Sequence, residues 1–141
     1  MAVTDINLSA HEPHVRQWLN DGFAGEMGYL HRNLEKRLHP EQLEPGTFRV
    51  ITARMNYLPA DTQPIEILAN SNKAYISRYA LGRDYHKVLR RRLAKLASQI
   101  NELLTQEQTA GYQFRAFTDS APVLEKALAE KGGLGWMGKH T

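Results

Sequence analysis

Apolar residues recur at three- and four-residue spacing in four stretches of the chain, which is the periodicity of an amphipathic helix. The predicted helices begin near Pro13, run through residues 25–37, extend from a cap at Asp84 to about Gln106, and begin again at Pro122. Each of these helices has an apolar face that must pack against another layer. In the longest one, the predicted buried stripe consists of Leu89, Leu93, Leu96, Ile100 and Leu103.

Three further segments are rich in β-forming residues. Residues 49–58 are almost continuously apolar, which is typical of a strand covered on both faces. Residues 73–81 and 112–119 are also predicted strands, whereas residues 40–46 predict a loop or single turn and residues 60–72 an exposed excursion. Because predicted strands are separated by helices, we expect an α/β fold, a layered sheet with flanking helices.

Composition narrows the class of protein further. The chain has 141 residues, of which 42% are hydrophobic and 23% charged, as expected for one globular domain. No apolar stretch approaches the roughly 18 residues that a membrane helix needs, and no signal peptide is apparent, so we expect a cytoplasmic protein with no membrane segment. The chain contains no cysteine, which excludes disulfides, a cysteine nucleophile and thiolate-bound metal within these residues.

Asp119 is the first candidate for chemistry. It follows the third predicted strand and precedes the predicted helix at Pro122, where open α/β sheets place ligands and catalytic groups. An aspartate in this position is also a common helix N-cap. A cap favours the carboxylate, whereas a proton donor must be buried or covered by a ligand to keep its proton. Position along the chain leaves both alternatives open.

The most basic stretch is GRDYHKVLRRR, residues 82–92. Its cations could bind phosphates, although such a run is more often the solvated face of an amphipathic helix. His86 could act as an acid–base group, or it could be a satisfied residue at a helix start. His11 and His14 have a spacing that some metal sites use, but Pro13 separates them and no third ligand is near, so we expect no metal site there.

A glycine-rich loop, GGLGWMGK, covers residues 132–139. Its glycines could let the backbone approach a ligand closely, but they follow a helix, so they do not match the dinucleotide-binding fingerprint. A helix C-cap explains Gly132 and Gly133 only. Arg54 interrupts the first predicted strand and should therefore have a carboxylate or a ligand as its partner.

Three blocks follow one another along the chain: RLHPEQLEPGTFRVITARMNYLP, YISRYALGRDYHKVLRRRLAKL and FRAFTDSAPVLEKALAEKGGLGWMGKH. Together they closely resemble the N-terminal half of the epoxyqueuosine reductase family, in the family's order. Each block alone is weakly specific, but the combination is highly specific and runs almost from end to end of the chain.

The resemblance implies an oxidoreductase that removes the epoxide oxygen of epoxyqueuosine at the wobble position of a tRNA. Family members hold cobalamin in an α/β domain similar to that of reductive dehalogenases. They receive electrons from two 4Fe–4S clusters in a ferredoxin-like module. The implied partners are tRNA and an external electron donor, and the full-length form is expected to be a monomer.

The resemblance also assigns roles to residues. The block TDSAP carries the family's acid, so the role of proton donor falls on Asp119, which is also expected to contact cobalamin. Arg37 precedes the block that matches the family's P-x-x-L-x-P motif, and Ser77 precedes R-x-x-x-G-x-D-Y-H. Both are expected to contact cobalamin, and Lys139, in GWMGKH, is carried over to the same pocket.

One departure from the family is informative. Iron–sulfur clusters need cysteine thiolates, and none is present in this sequence. We therefore expect residues 1–141 to be a partial N-terminal cobalamin-binding domain, truncated at both ends, with the iron–sulfur module absent and no activity alone. The alternative is a small basic nucleic-acid-binding α/β module without catalysis, consistent with the net charge of +3.

Overall fold

The computed structural model describes residues 1–107 and 111–138. These residues form a mixed, mostly helical structure with one small sheet. The two strands and the seven α-helices of the described residues are β1 (Ala2–Thr4), α1 (Glu12–Asn20), α2 (Gly28–Arg32), α3 (Leu34–Leu38), α4 (Pro40–Leu43), β2 (Val50–Thr52), α5 (Pro64–Ala69), α6 (Tyr85–Gln106) and α7 (Glu125–Lys131). A single 3₁₀ turn, Arg78–Ala80, precedes α6.

The chain divides into two compact units. The first unit consists of Met1–Met55 and Pro122–Thr141. In it β1 pairs antiparallel with β2, with Val3 opposite Ile51. Helix α7 lies against both strands.

The core of the first unit forms between α7 and the segments beside the sheet. Leu8, Ala127 and Leu128 are buried there, and Val50 and Val123 pack against them. Burial of such side chains contributes roughly 1.5–3 kcal/mol each for the larger ones. The short helices α3 and α4 contact each other, and Leu38 is buried within that region.

The second unit, Asn56–Ala121, is organised around α6. This helix begins after Asp84 and ends at Gln106, as the sequence predicted. Its predicted apolar stripe is only half-buried, and Leu103 is 62% exposed. The prediction of the helix is therefore confirmed, whereas the prediction of a buried stripe is wrong within the described residues.

The strand predictions are corrected in three places. Only Val50–Thr52 of residues 49–58 forms a strand, residues 73–81 contain the 3₁₀ turn, and residues 112–119 are irregular. A strand is stabilised by hydrogen bonds to a neighbouring strand, and in the described residues only β2 has such a neighbour, β1. The expected layered sheet is therefore reduced to two strands, while the mixture of helix and strand is confirmed.

One segment is more helical than the sequence suggested, because Pro64 starts α5 inside the predicted excursion of residues 60–72. Pro40 starts α4, a helix of four residues, within the predicted loop or single turn. Proline at the first helical position suits both starts, because its fixed φ is helical and its missing N–H would have been unpaired. Among the described residues, no helix combines the length and apolar character needed to cross a bilayer.

Candidate functional site

The N-terminus of α6 is held by Asp84. Its Oδ1 accepts a hydrogen bond from the backbone N–H of His86 at 3.0 Å, and His86 Nδ1 lies 3.1 Å from the same oxygen. Partial burial raises the pKa of Asp84, but the hydrogen bonds from His86 outweigh this, so the pKa is lowered overall. Of the two sequence alternatives for His86, the satisfied helix-start residue is the one that the structure supports.

Tyr85, the first residue of α6, reaches Asp119. The Tyr85 hydroxyl donates a hydrogen bond of 2.6 Å to Asp119 Oδ2, a length typical of a donor facing a carboxylate. This bond to Asp119 is the main cause that raises the pKa of Tyr85 to about 12, because ionising the phenol would break the bond and place two negative charges together. The pair joins the start of α6 to the segment that the sequence singled out.

The ring of Tyr85 is supported by aromatic contacts on two sides. His86 stacks on it with ring centroids 4.1 Å apart. Tyr79 approaches it edge-on at 5.8 Å, with the ring planes at 88°, one of the favoured geometries for aromatic pairs. The 3₁₀ turn after Ser77 is thereby brought to the same group of side chains as Asp119.

Asp119 is exposed and has an unusual backbone conformation. Its φ is +50°, a region that costs most residues energy but that aspartate adopts more readily than others. Of the two alternatives for Asp119, the structure does not support the helix cap, because α7 begins at Glu125 and its cap position is Leu124. The side chain instead contacts Tyr85.

Ser77 and Arg78 form the edge of this cluster. Ser77 is exposed, and its carbonyl accepts the N–H of Ala80 at 2.9 Å within the turn. The Arg78 guanidinium lies 5.4 Å from the centre of the Tyr75 ring. Its Nε is buried and has no hydrogen-bond partner among the described residues, so a ligand acceptor there would satisfy it.

Arg37 lies in the first unit, near the end of α3. Its guanidinium is 5.8 Å from the centre of the Tyr29 ring. Like that of Arg78, its Nε is buried without a hydrogen-bond partner in the described part of the chain. A buried donor left unpaired costs about 1–3 kcal/mol, so this atom is suited to meet an acceptor from a ligand. Lys139 lies outside the described residues.

The remaining candidates are less organised. Arg54 is exposed, so the expectation that it sits in a buried strand and needs a partner is wrong. It lines a shallow cavity of about 180 Å³ with Lys126, Trp136 and Met137. Within residues 1–107 and 111–138, His11 and His14 belong to no group of three or more side chains that could hold a metal ion.

Sequence reasoning missed the roles of Tyr85 and Arg78. Tyr85 was noted only as part of the block GRDYH, because no sequence pattern marks a tyrosine at a helix start as a site residue. Its role became evident from the bond to a residue 34 positions away. For Arg78, the signal was a lone cation inside a predicted strand, the same signal that drew attention to Arg54.

Comparisons with known proteins cover the segment that contains this cluster. A family model described as Epoxyqueuosine reductase QueG, DUF1730 matches residues 37–120. Proteins named epoxyqueuosine reductase from Pseudomonas aeruginosa, Vibrio cholerae and Escherichia coli are 52%, 48% and 50% identical over all 141 residues.

The chain spans 38%, 37% and 36% of the length of those three curated relatives. No solved structure matches the chain at a significant level. The family model covers well over half of the chain, and it covers the segment in which Tyr85 binds Asp119. This chain belongs to the epoxyqueuosine reductase family.

Proposed function

We propose that residues 1–141 form part of the cobalamin-binding domain of an epoxyqueuosine reductase that converts epoxyqueuosine to queuosine at the wobble position of tRNA. The single observation that carries this proposal is the placement of Asp119, whose carboxylate is held by Tyr85 at 2.6 Å inside the segment that matches the family. The names of the relatives support the reaction.

The residues present fit a large ligand that offers hydrogen-bond acceptors. Arg37 has a buried, unpaired Nε that could donate to an amide carbonyl of a corrin side chain. Ser77 and Asp119 are exposed and could face the ring. Lys139 is part of the same proposal because it matches the family motif. The proposal also includes a similarity between this domain and the cobalamin-binding domain of reductive dehalogenases.

The overall reaction requires two electrons and two protons. Both carbon–oxygen bonds of the epoxide break, a carbon–carbon double bond forms, and the oxygen leaves as water. When bound, cobalamin would supply the electron pair to the substrate. Asp119 would supply a proton to the departing oxygen, as a general acid within hydrogen-bond reach.

The environment of Asp119 must change for this role. Its side chain is exposed and accepts a hydrogen bond from Tyr85. A ligand that covers the carboxyl removes water from it and so favours the protonated acid. Ligand binding would thus prepare the proton donor, and the bond to Tyr85 would stabilise the carboxylate that remains after transfer.

The electron relay belongs to residues outside this sequence. Two 4Fe–4S clusters would need cysteine thiolates, and residues 1–141 contain none. We therefore propose that these residues act within a longer monomeric protein, which receives electrons from an external donor, and that they do not turn over alone. Because tRNA is the substrate, a cytoplasmic location is part of the same proposal.

Replacement of Asp119 in the holoenzyme tests the proposal. We expect Asp119→Asn to keep the visible spectrum of bound cobalamin and to slow turnover on epoxyqueuosine-containing tRNA by about 10²–10⁴-fold, the usual contribution of a general acid. Asp61→Asn, which changes another exposed acid of the same unit, is the matched control and should not alter turnover. Unchanged turnover in Asp119→Asn would rule out the donor role.

Cobalamin binding can be tested with the same holoenzyme. We expect Arg37→Met, which preserves much of the side-chain volume but removes the buried Nε, to weaken cobalamin binding. Lys36→Met, one position earlier in the same helix and exposed, should not. Equal affinity in both variants, measured by the visible spectrum during titration, would remove Arg37 from the ligand site.

A second function, nucleic-acid binding without catalysis, is favoured by one observation. Arg83, Arg90, Arg91 and Lys95 are exposed at the start and along the side of α6, where they could contact phosphates. This function predicts tRNA affinity that falls steeply with salt. Affinity unaffected by replacing Arg90 and Arg91 together with alanine would exclude it.

A further inference from the structure

We propose that Tyr85 is a positioning residue for Asp119: its hydroxyl fixes the orientation of the carboxyl group and stabilises the anion that remains after the proton has been given up. This inference rests on the proposed function of Asp119. It goes beyond it by assigning a second residue, with a distinct task, to the proton-transfer step.

The first support is the geometry of the hydrogen bond. Tyr85 Oη lies 2.6 Å from Asp119 Oδ2, and short hydrogen bonds to a carboxylate are roughly twice as strong as neutral ones. Asp119 adopts φ +50° on an irregular segment, so the local backbone provides no regular element that would orient the side chain. A rigid donor from another element can provide that orientation.

The second support is the rigidity of the donor. Tyr85 occupies the first position of a 22-residue helix, α6, and its ring is held between His86 and Tyr79. His86 is itself held by Asp84, the N-cap of the helix. The position of the phenol oxygen is therefore set by the helix start and two aromatic neighbours.

The third support is that the hydrogen bond from Tyr85 favours one protonation state of the carboxyl group over the other. A hydroxyl that donates to a carboxylate stabilises the anion more than the neutral acid. Proton donation converts Asp119 from acid to anion, so the bond gains strength as the transfer proceeds and lowers the barrier. No net proton is taken from Tyr85, since the phenol keeps its hydrogen throughout.

The charged or titratable groups that face the Tyr85 side chain are Asp119, Asp84, Tyr79 and His86.

The test compares Tyr85→Phe with Tyr57→Phe in the holoenzyme. Each variant removes one hydroxyl and keeps the ring. Tyr57 is an exposed tyrosine of the same unit, whereas the Tyr85 hydroxyl donates to Asp119. Tyr85→Phe should slow turnover at least about 10-fold, the equivalent of one hydrogen bond to a charged group. Tyr57→Phe should leave turnover within about twofold, since the hydrogen bond from Tyr85 to Asp119 is kept.

The kinetic parameters of Tyr85→Phe distinguish positioning from a merely structural role. The bond to Asp119 is proposed to act in the transition state, so its loss should lower kcat and leave the KM for the tRNA within about twofold. A KM that rises while kcat keeps its wild-type value would overturn the inference.

A second readout needs no turnover. The pKa of Tyr85 is raised to about 12 by its bond to Asp119, so removing the carboxylate should return it toward the usual value of about 10. At about pH 11, ring-carbon NMR of the chain should show Tyr85 mostly neutral in the wild type and mostly ionised in Asp119→Asn. Identical ionisation in the two would mean that the bond does not form.

Failure of this inference and failure of the proposed function give different results. If Asp119→Asn leaves turnover unchanged, the donor role itself is wrong. If Asp119→Asn slows turnover but Tyr85→Phe behaves like Tyr57→Phe in kcat and in KM, only the positioning role of Tyr85 is wrong.

Discussion

The two units of the chain differ in where their apolar side chains lie. All six buried leucine and alanine residues of the described chain are in the first unit, whereas Thr118 is the only buried residue described in the second. In the second unit Ile65 is 80% exposed and Leu103 62% exposed. The first unit therefore depends on apolar packing, and the second depends on the backbone bonds, caps and aromatic contacts around α6.

The residues that stabilise the fold and the candidate site therefore lie in different units. The Tyr85–Asp119 pair lies in the unit with few buried contacts, and regions of that kind open more readily than packed cores. Binding a large ligand over such a unit would add the contacts that its own side chains do not provide.

The largest effect on stability is expected in the core of the first unit. Leu128 is 1% exposed, and Leu128→Ala should lower the free energy of unfolding by about 2–5 kcal/mol through lost burial and a cavity. Both tryptophans, Trp18 and Trp136, lie in this unit, so fluorescence during denaturant unfolding measures it. Leu103→Ala is the control, expected within about 0.5 kcal/mol; equal losses would mean that the two units do not differ as described.

A smaller effect is expected where α7 ends against β1. A Cβ added at Gly132 would lie 2.9 Å from Ala2 Cβ and 3.3 Å from the Leu128 carbonyl oxygen. Gly132→Ala should therefore destabilise the first unit by about 1–3 kcal/mol, as overpacking does. Gly135→Ala meets nothing within 4 Å and should be neutral or slightly stabilising. Similar denaturant midpoints for the two variants would contradict this account of the packing.

The smallest effect is on the pH dependence of stability, with one carboxylate in each unit. The hydrogen bond from Lys131 is the main cause that lowers the pKa of Asp5; in Asp84, partial burial acts in the opposite direction and the bonds from His86 outweigh it. Because the pKa of each carboxyl group is lower in the folded state, each group stabilises the folded state fully at pH values above its unfolded pKa of about 3.9. This stabilisation is lost as the pH falls through the lower pKa of the folded state.

Carboxyl NMR titration can assign these two shifts separately. Lys131→Met should return the pKa of Asp5 toward its ordinary value, because Lys131 provides the ion pair and the hydrogen bond. The same substitution should leave Asp84 unchanged, since its partners are His86 and Lys87. If Asp5 titrates identically with and without Lys131, the ion pair does not set its acidity.

Local rules predicted some elements well and others poorly. Helix α6 and its Asp84 cap follow from periodicity and a capping residue, both of which operate within a few positions, and the structure confirms them. The strands predicted at residues 73–81 and 112–119 failed because β propensity becomes a strand only when a neighbour pairs with it. The short strand β1, which pairs with β2 across 50 residues, had no local signal strong enough to predict it.

For the candidate site, the sequence by itself determined which residue types are available: an acid at position 119, a tyrosine beside a capped helix start, and arginines but no cysteine. Only the tertiary structure decided that Asp119 is not a helix cap and that its partner is Tyr85, 34 positions away. The physical reason is that a cap depends on where the next helix begins, and a long-range hydrogen bond depends on how the chain returns; neither is encoded in the spacing of neighbouring residues.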